Sequence, residues 1–317
     1  MQNRLRQGGW ILLTVLLLAA GCIAQKPLDV TFTEGGKGAG IASGLVEKTA
    51  TATPATISSE ANNINQALTV LEFTAKENGS RDGYPFEIKT LRFTITGTAD
   101  PADLRFILEG PGSNNTVGSV SGSVVTFTDF GNIIVTDGDP TGKTYQLKGQ
   151  IRSAVNGSTT DGQTIAVSFD PQKDIDVVEA SSNIQPNVVS MASGAMAIAI
   201  TASILQGKSS FTDLVATIGT DFPGNQIVYA TDANGRIDLD FTEAITLSAH
   251  TTACPNAAPG TLGSTDSGGL TRSAVAGVAT WTNLTYNQAA IIRIQAVSPS
   301  ISSLSSRLCS AAVTINP

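Results

Sequence analysis

The chain has 317 residues, a formal charge of −7 and only 14% charged residues. An acidic chain without a basic run has no electrostatic footprint for nucleic acid, and none for an anionic lipid surface. The length exceeds one typical sandwich and suits two domains. Recurrent Ser, Thr, Gly, Ala and Val fit short strands and small polar turns rather than a helical bundle.

The first 21 residues read as a cleaved signal peptide. Arg4 and Arg6 form a basic start, Trp10 to Ala20 an apolar core, and Ala19-Ala20-Gly21 a small-residue cleavage zone before Cys22. The core is shorter than the roughly 20 apolar residues that span a bilayer. These residues resemble the lipobox of bacterial lipoproteins, although Ala19 stands where that family prefers Leu. The resemblance implies lipidation of Cys22 and attachment to a membrane through the N-terminal lipid. Two alternatives stay open: ordinary cleavage, for instance after Ala24, and a retained membrane anchor. All three export the remainder. Losing Arg4 and Arg6 leaves 17 basic against 26 acidic residues. Residues 22–60 are Gly-, Ala- and Thr-rich, which predicts a flexible tether with a short strand over Asp29–Thr33.

Residues 61–190 predict a first β-sandwich. Leu91, Phe93 and Ile95 alternate with polar neighbours, as do Leu104, Phe106 and Leu108, then Val125 and Phe127, Tyr145 and Leu147, and Ile165, Val167 and Phe169. Such period-2 runs between turn residues are the pattern of an antiparallel sandwich. Ala67 to Lys76 favours a strand through Thr69, Val70, Phe73 and Thr74. Asp129 and Asp137-Gly-Asp-Pro140 make an acidic cluster read as a hairpin loop, and Asn78-Gly, Asn156-Gly and Asp161-Gly read as turns. Pro54-Ala-Thr-Ile-Ser-Ser59, Leu71-Glu-Phe-Thr74 and Arg81-Asp-Gly-Tyr-Pro85 resemble a β-sandwich module of large surface and secreted proteins of the Bacteroidetes, with departures at Tyr84 and Phe86. That resemblance implies a fold and an exported compartment rather than an activity.

Residues 191–317 predict a second sandwich, opened by a strand over Met196–Thr201. Ile237, Leu239 and Phe241 alternate with Asp238 and Asp240, which predicts a strand with both aspartates on its solvent face. Asn234-Gly235 predicts a tight hairpin. Ile245 and Leu247, Val275 to Trp281, Ile291 to Val297 and Val313 to Ile315 supply further strands. The segments Asp232–Ser248 and Gly277-Val-Ala-Thr-Trp-Thr-Asn-Leu284 resemble the bacterial immunoglobulin-like repeats of adhesins, with Arg236 and Glu243 in place of the usual Asn and Gly. The fold class is therefore all-β: two tandem antiparallel sandwiches, the second immunoglobulin-like.

In an oxidising compartment Cys254 and Cys309 are expected to pair, joining the loop after the Ile245–Leu247 strand to the final strand. Asp232, Asn234 and Asp238 are the candidate calcium ligands, set against the reading of the same residues as a turn and strand. No other cofactor is implied, and no catalytic residue is assigned. His250 is the only histidine, and no G-x-S-x-G or P-loop accompanies it. The expected function is a non-catalytic exported protein of the outer membrane or cell surface, an adhesion or envelope-structural module. Its partners would be cell-envelope or extracellular proteins or glycans. The alternatives are a glycan- or ligand-binding module using Tyr84, Phe86, Trp281 and Tyr286, and a carboxylate-type hydrolase.

Overall fold

The computed structural model describes residues 42–49, 53–59, 63–77, 83–112, 115–128, 133–152, 158–178, 182–185, 188–209, 211–251, 254 and 256–317. The signal, Cys22, the Asp29–Thr33 expectation, Asn78, Asp129 and Asn156 lie outside them. The described chain is built almost wholly of strands.

The first sandwich sets a six-stranded sheet against a nine-stranded one. The six-stranded sheet runs in the order Ser182–Ile184, Ala42–Lys48, Leu68–Glu77, Lys143–Ile151, Leu104–Glu109 and Thr116–Val117. The long Phe86–Gly97 strand is the spine of the other, pairing with Thr164–Phe169 along one edge and Val124–Phe127 along the other. The alternating apolar residues enter one core, as their period requires. Leu91, Phe93, Leu147, Val125 and Val167 are all buried there. Phe73, Phe93 and Phe169 cluster at its centre with ring centroids 4.7 to 6.2 Å apart, and Tyr145 stacks on Phe73 at 5.7 Å. Each such ring contributes about 2 kcal/mol by burial. Burial also pushes the Tyr145 hydroxyl up to about 12; its proton is donated to the Pro111 carbonyl at 3.1 Å.

The second sandwich sets Ile204–Gln206, Gln226–Thr231 and Val278–Trp281 against a sheet running Val215–Thr217, Val313–Asn316, Ala290–Val297, Ala244–His250 and Thr271–Ser273. Trp281, Tyr286, Ile245, Leu247, Ile292 and Val313 fill the space between. Leu262–Ser264 and Leu284–Tyr286 form a separate two-stranded ribbon.

Three features differ from the sequence reading. The sheets are not purely antiparallel: Ala42–Lys48 pairs in parallel with Ser182–Ile184, Thr56–Ser58 with Met196–Ala199, and Val215–Thr217 with Val313–Asn316. Each parallel pair joins segments far apart in the chain, which no hairpin can do. The expected tether over 22–60 contains two strands of the first sandwich, Ala42–Lys48 and Thr56–Ser58. Finally, Met196–Ala199 does not open the second sandwich. It pairs with Thr164–Phe169, and Met196, Ile198 and Ile200 lie in the first core. The passage between sandwiches therefore falls at residues 200–203, about ten residues later than expected.

Asp266 pins the ribbon. Its carboxylate accepts from the Thr282 amide at 2.9 Å, the Thr282 hydroxyl at 2.6 Å and the Asn283 side chain at 2.9 Å, and it pairs with Arg272 at 3.1 Å. Hydrogen bonds from Thr282, then Arg272, hold its pKa well below the usual carboxylate range. Because the folded value is depressed, its stabilising effect is complete above the unfolded value of about 3.9 and is lost as pH falls further. Asp266→Asn is accordingly expected to lower the thermal midpoint at neutral pH and to shrink the gap between wild type and variant below about pH 3. An unchanged gap between neutral and acid pH would refute this.

Candidate functional site

The residues that carry the most chemistry meet where the sandwiches join. Four consecutive linker amides are each held by a different group. Ile200 donates to Asp161 Oδ1 at 2.8 Å, and Thr201 to Ser59 Oγ at 3.0 Å; both acceptors belong to the first sandwich. Ala202 donates to Asp238 Oδ2 at 2.8 Å, and Ser203 to the Thr231 carbonyl at 2.8 Å; both belong to the second. The connector is thus bonded backwards for two residues and forwards for two.

Direct bonds cross the joint as well. Asp161 Oδ2 accepts from the Leu239 amide at 3.0 Å, so one carboxylate grips the linker and the second sandwich together. Arg236 Nη2 likewise donates from the second sandwich to the Arg152 carbonyl of the first at 2.8 Å. Arg236 is buried and its Nη1 lies 3.6 Å from Asp232 Oδ2. The loop bearing Asp161 is itself fixed from behind: the buried Asp103 accepts the Thr159 amide at 2.7 Å. Low exposure strengthens such bonds and makes an unmatched donor costly.

This geometry corrects the reading of the acidic stretch. Asp238 is only 8% exposed, whereas Leu239 is 45% exposed, the reverse of the expected faces. The cause is local: Ile237 makes a single bridge to Thr231, and the chain turns at Leu239 and Asp240 instead of continuing as a strand. Asp238 Oδ1 accepts from the Asp240 amide at 3.0 Å, which closes that turn. The turn before it is made by Asp232, whose Oδ1 accepts from the amides of Asn234 and Arg236, both at 2.9 Å. Of Asn234 and Gly235 only Gly235 takes a positive φ, +81°, so the loop is not the two-residue turn expected of Asn-Gly. Gly277, with φ +75°, lies directly over the Asp238 carbonyl, where a Cβ would collide. The two immunoglobulin-like segments of the sequence therefore touch at Asp238 and Gly277.

The candidate calcium ligands do not converge as a metal site. The carboxylates of Asp232 and Asp238 face backbone amides and the Arg236 guanidinium, and Asn234 is exposed. A cation there would have to displace those donors. Among the described residues no group of three His, Cys, Asp or Glu side chains is placed to hold a metal ion. The proposed aromatic platform is also not formed: Phe86, Trp281 and Tyr286 are buried in the two cores, and Tyr84 packs half-buried against the first. His250 shares a hydrogen bond with Ser248 through Nε2 at 2.8 Å, two residues away on one strand face.

Cys254 and Cys309 form a disulfide with Cα atoms 6.3 Å apart, inside the ordinary range. Cys309 sits in the short Leu308–Cys309 strand paired to Ala290–Val297, one strand earlier than expected. The acidic segment Asp137–Gly142 is a turn but not the hairpin loop expected, because it joins Ile133–Val135, paired with Phe86–Gly97, to Lys143–Ile151 in the other sheet; Asp139 Oδ1 accepts from Thr141 and Gly142, which lowers its pKa. Asp161 and Arg236 escaped notice as linking residues. Asp161-Gly162 has the look of any turn dipeptide, and its partners lie 39 and 78 residues away.

No family model matches the chain, and no curated protein matches it. Among solved structures it is similar to the major pilin subunit BcpA of Bacillus cereus, at 11% identity and a TM-score of 0.20, over 86% of this chain and 66% of that one. It is similar to the T6 backbone pilin of Streptococcus pyogenes at 10% identity and 0.22, over 86% of this chain and 52% of that one. The full-length major pilin SpaD of Corynebacterium diphtheriae follows at 15% and 0.22, over 85% and 61%. The chain thus spans between about half and two thirds of these pilins. At such scores the likenesses bear on neither its topology nor its function.

Proposed function

We propose that the chain is a non-catalytic module of a bacterial cell surface, lipid-anchored through Cys22, in which two β-sandwiches are fixed as one stiff body to act as a spacer or adhesive stalk. The observation that carries this reading is the linker: four consecutive amides, the first two bonded to one side and the next two to the other, with Asp161 and Arg236 bonded across it. A connector between independently moving domains leaves its amides to water. The disulfide supports an oxidising compartment. The signal supports export, and the small residues before Cys22 support lipidation. Envelope or extracellular proteins are the partners such a body would present itself to.

The test combines two readouts on the full chain expressed with its own leader. Mass spectrometry of membrane-fraction protein is expected to find a lipid on an N-terminal Cys22. Backbone relaxation of the leaderless protein is expected to give one tumbling time for both sandwiches. A soluble N-terminus beyond Cys22 would remove the anchor, and two separate tumbling times would remove the stiff body.

A further inference from the structure

The second sandwich carries a cleft of about 420 Å³ between its Leu205–Thr212 segment and its Arg307–Ala311 segment. Its size is within the range of small-ligand sites. Leu205, Phe211 and Leu308 give it an apolar floor; Lys208 and Arg307 bring two cations; no acidic residue lines it. In a chain of net charge −7 that is a local reversal of sign.

Neither cation is neutralised by an ion pair among the described residues. Arg307 Nη1 donates to the neutral Gln295 Oε1 at 3.1 Å, while its Nε is buried and makes no hydrogen bond. Buried guanidinium groups ordinarily satisfy their donors. Lys208 is held in place from two sides. Its backbone has φ +45°, an uncommon conformation for a side-chain-bearing residue, and its ammonium lies 4.3 Å from the centroid of the Tyr229 ring. Strained backbone of this kind gathers at ligand clamps. The opposite wall is braced by the disulfide at Cys309.

We propose that this cleft binds a small ligand in which a carboxylate adjoins an apolar group, with Arg307 and Lys208 receiving the carboxylate and Leu205, Phe211 and Leu308 the apolar part. The cations would match a phosphate equally well; the apolar floor is what favours an organic acid. The site is independent of the stiff-body reading, since it lies within one sandwich.

The experiment titrates the leaderless full chain, disulfide intact, with N-acetylleucine, its uncharged amide and inorganic phosphate, followed by amide-resolved NMR. N-acetylleucine is expected to shift the amides of Leu205–Thr212 and Arg307–Ser310, and the other two probes to bind roughly tenfold more weakly, the effect of losing one charge-assisted hydrogen bond or the apolar contact. Arg307→Gln and the exposed-end change Lys208→Gln are each expected to weaken N-acetylleucine by roughly tenfold at an unchanged thermal midpoint. Equal binding of acid and amide, phosphate binding as tight as the acid, shifts elsewhere on the chain, or no shift at about 10 mM ligand would each overturn the proposal. The comparison of the three probes on the unaltered protein decides the matter even where a variant folds poorly.

Discussion

Asp161→Ala is expected to cost about 3 kcal/mol and to split one unfolding transition into two. The carboxylate is buried and accepts both the Ile200 and the Leu239 amides. Removing it strands two donors, each worth about 1–3 kcal/mol when left unmatched; the Leu239 amide is only partly covered, so the sum falls below the upper bound. Alanine also leaves room for water, which loosens the grip of the first sandwich on the second. In protein made without residues 1–21, Trp281 is the one tryptophan and reports the second sandwich by fluorescence. Far-ultraviolet dichroism reports both. In the unaltered chain the two signals should coincide in a urea titration, and in the variant they should separate. Asp161→Asn keeps one acceptor oxygen and should fall between. Coincident transitions at an unshifted midpoint in Asp161→Ala would show that the joint is not held by this residue.

The second large effect concerns the disulfide. Cys254 and Cys309 are 55 residues apart in sequence, and cross-linking a loop of that length removes about 4 kcal/mol of entropy from the unfolded chain. The Cys254→Ser, Cys309→Ser pair is expected to lower the Trp281 transition by up to that amount. The change would act on the unfolded state and on the wall beside Leu308, not on the first core. Combining this pair with Asp161→Ala sharpens the reading. If the joint couples the sandwiches, losing the disulfide alone should drag the first sandwich to a lower midpoint. In the Asp161→Ala background the first sandwich should be spared. Equal sensitivity of both halves in both backgrounds would contradict the coupling.

Much of the fold was legible because sheet interiors impose a strict period. Phe93, Leu147 and Val167 announce themselves by alternation, and each is buried where it should be. The pairing of Cys254 with Cys309 followed from compartment and count. What failed did so for a common reason: partners distant in sequence. Met196–Ala199 reads as a strand from its own residues, but its neighbours Thr56–Ser58 and Thr164–Phe169 decide which sandwich owns it. The turn at Leu239–Asp240 inverts the parity at Asp238, whose carboxylate then meets a distant partner, the linker amide of Ala202. Tyr286, a candidate for an exposed binding aromatic, instead joins Trp281 in filling an aromatic-poor core, the place the sequence favours for Trp281. The Lys208–Arg307 cleft brings together residues about a hundred positions apart, each unremarked in its own surroundings.

The bonding of residues 200–203 has a consequence for how such chains can diverge. Loops ordinarily absorb insertions and deletions with little penalty. Here the amides of Ile200 and Thr201 answer to one body and those of Ala202 and Ser203 to the other, so length and phase are both fixed. Adding or removing a single residue would break this register and turn the second sandwich about the chain axis. The connector is a keyed coupling: the exposed side chains of Thr201 and Ser203 are open to drift, while its residue count is not.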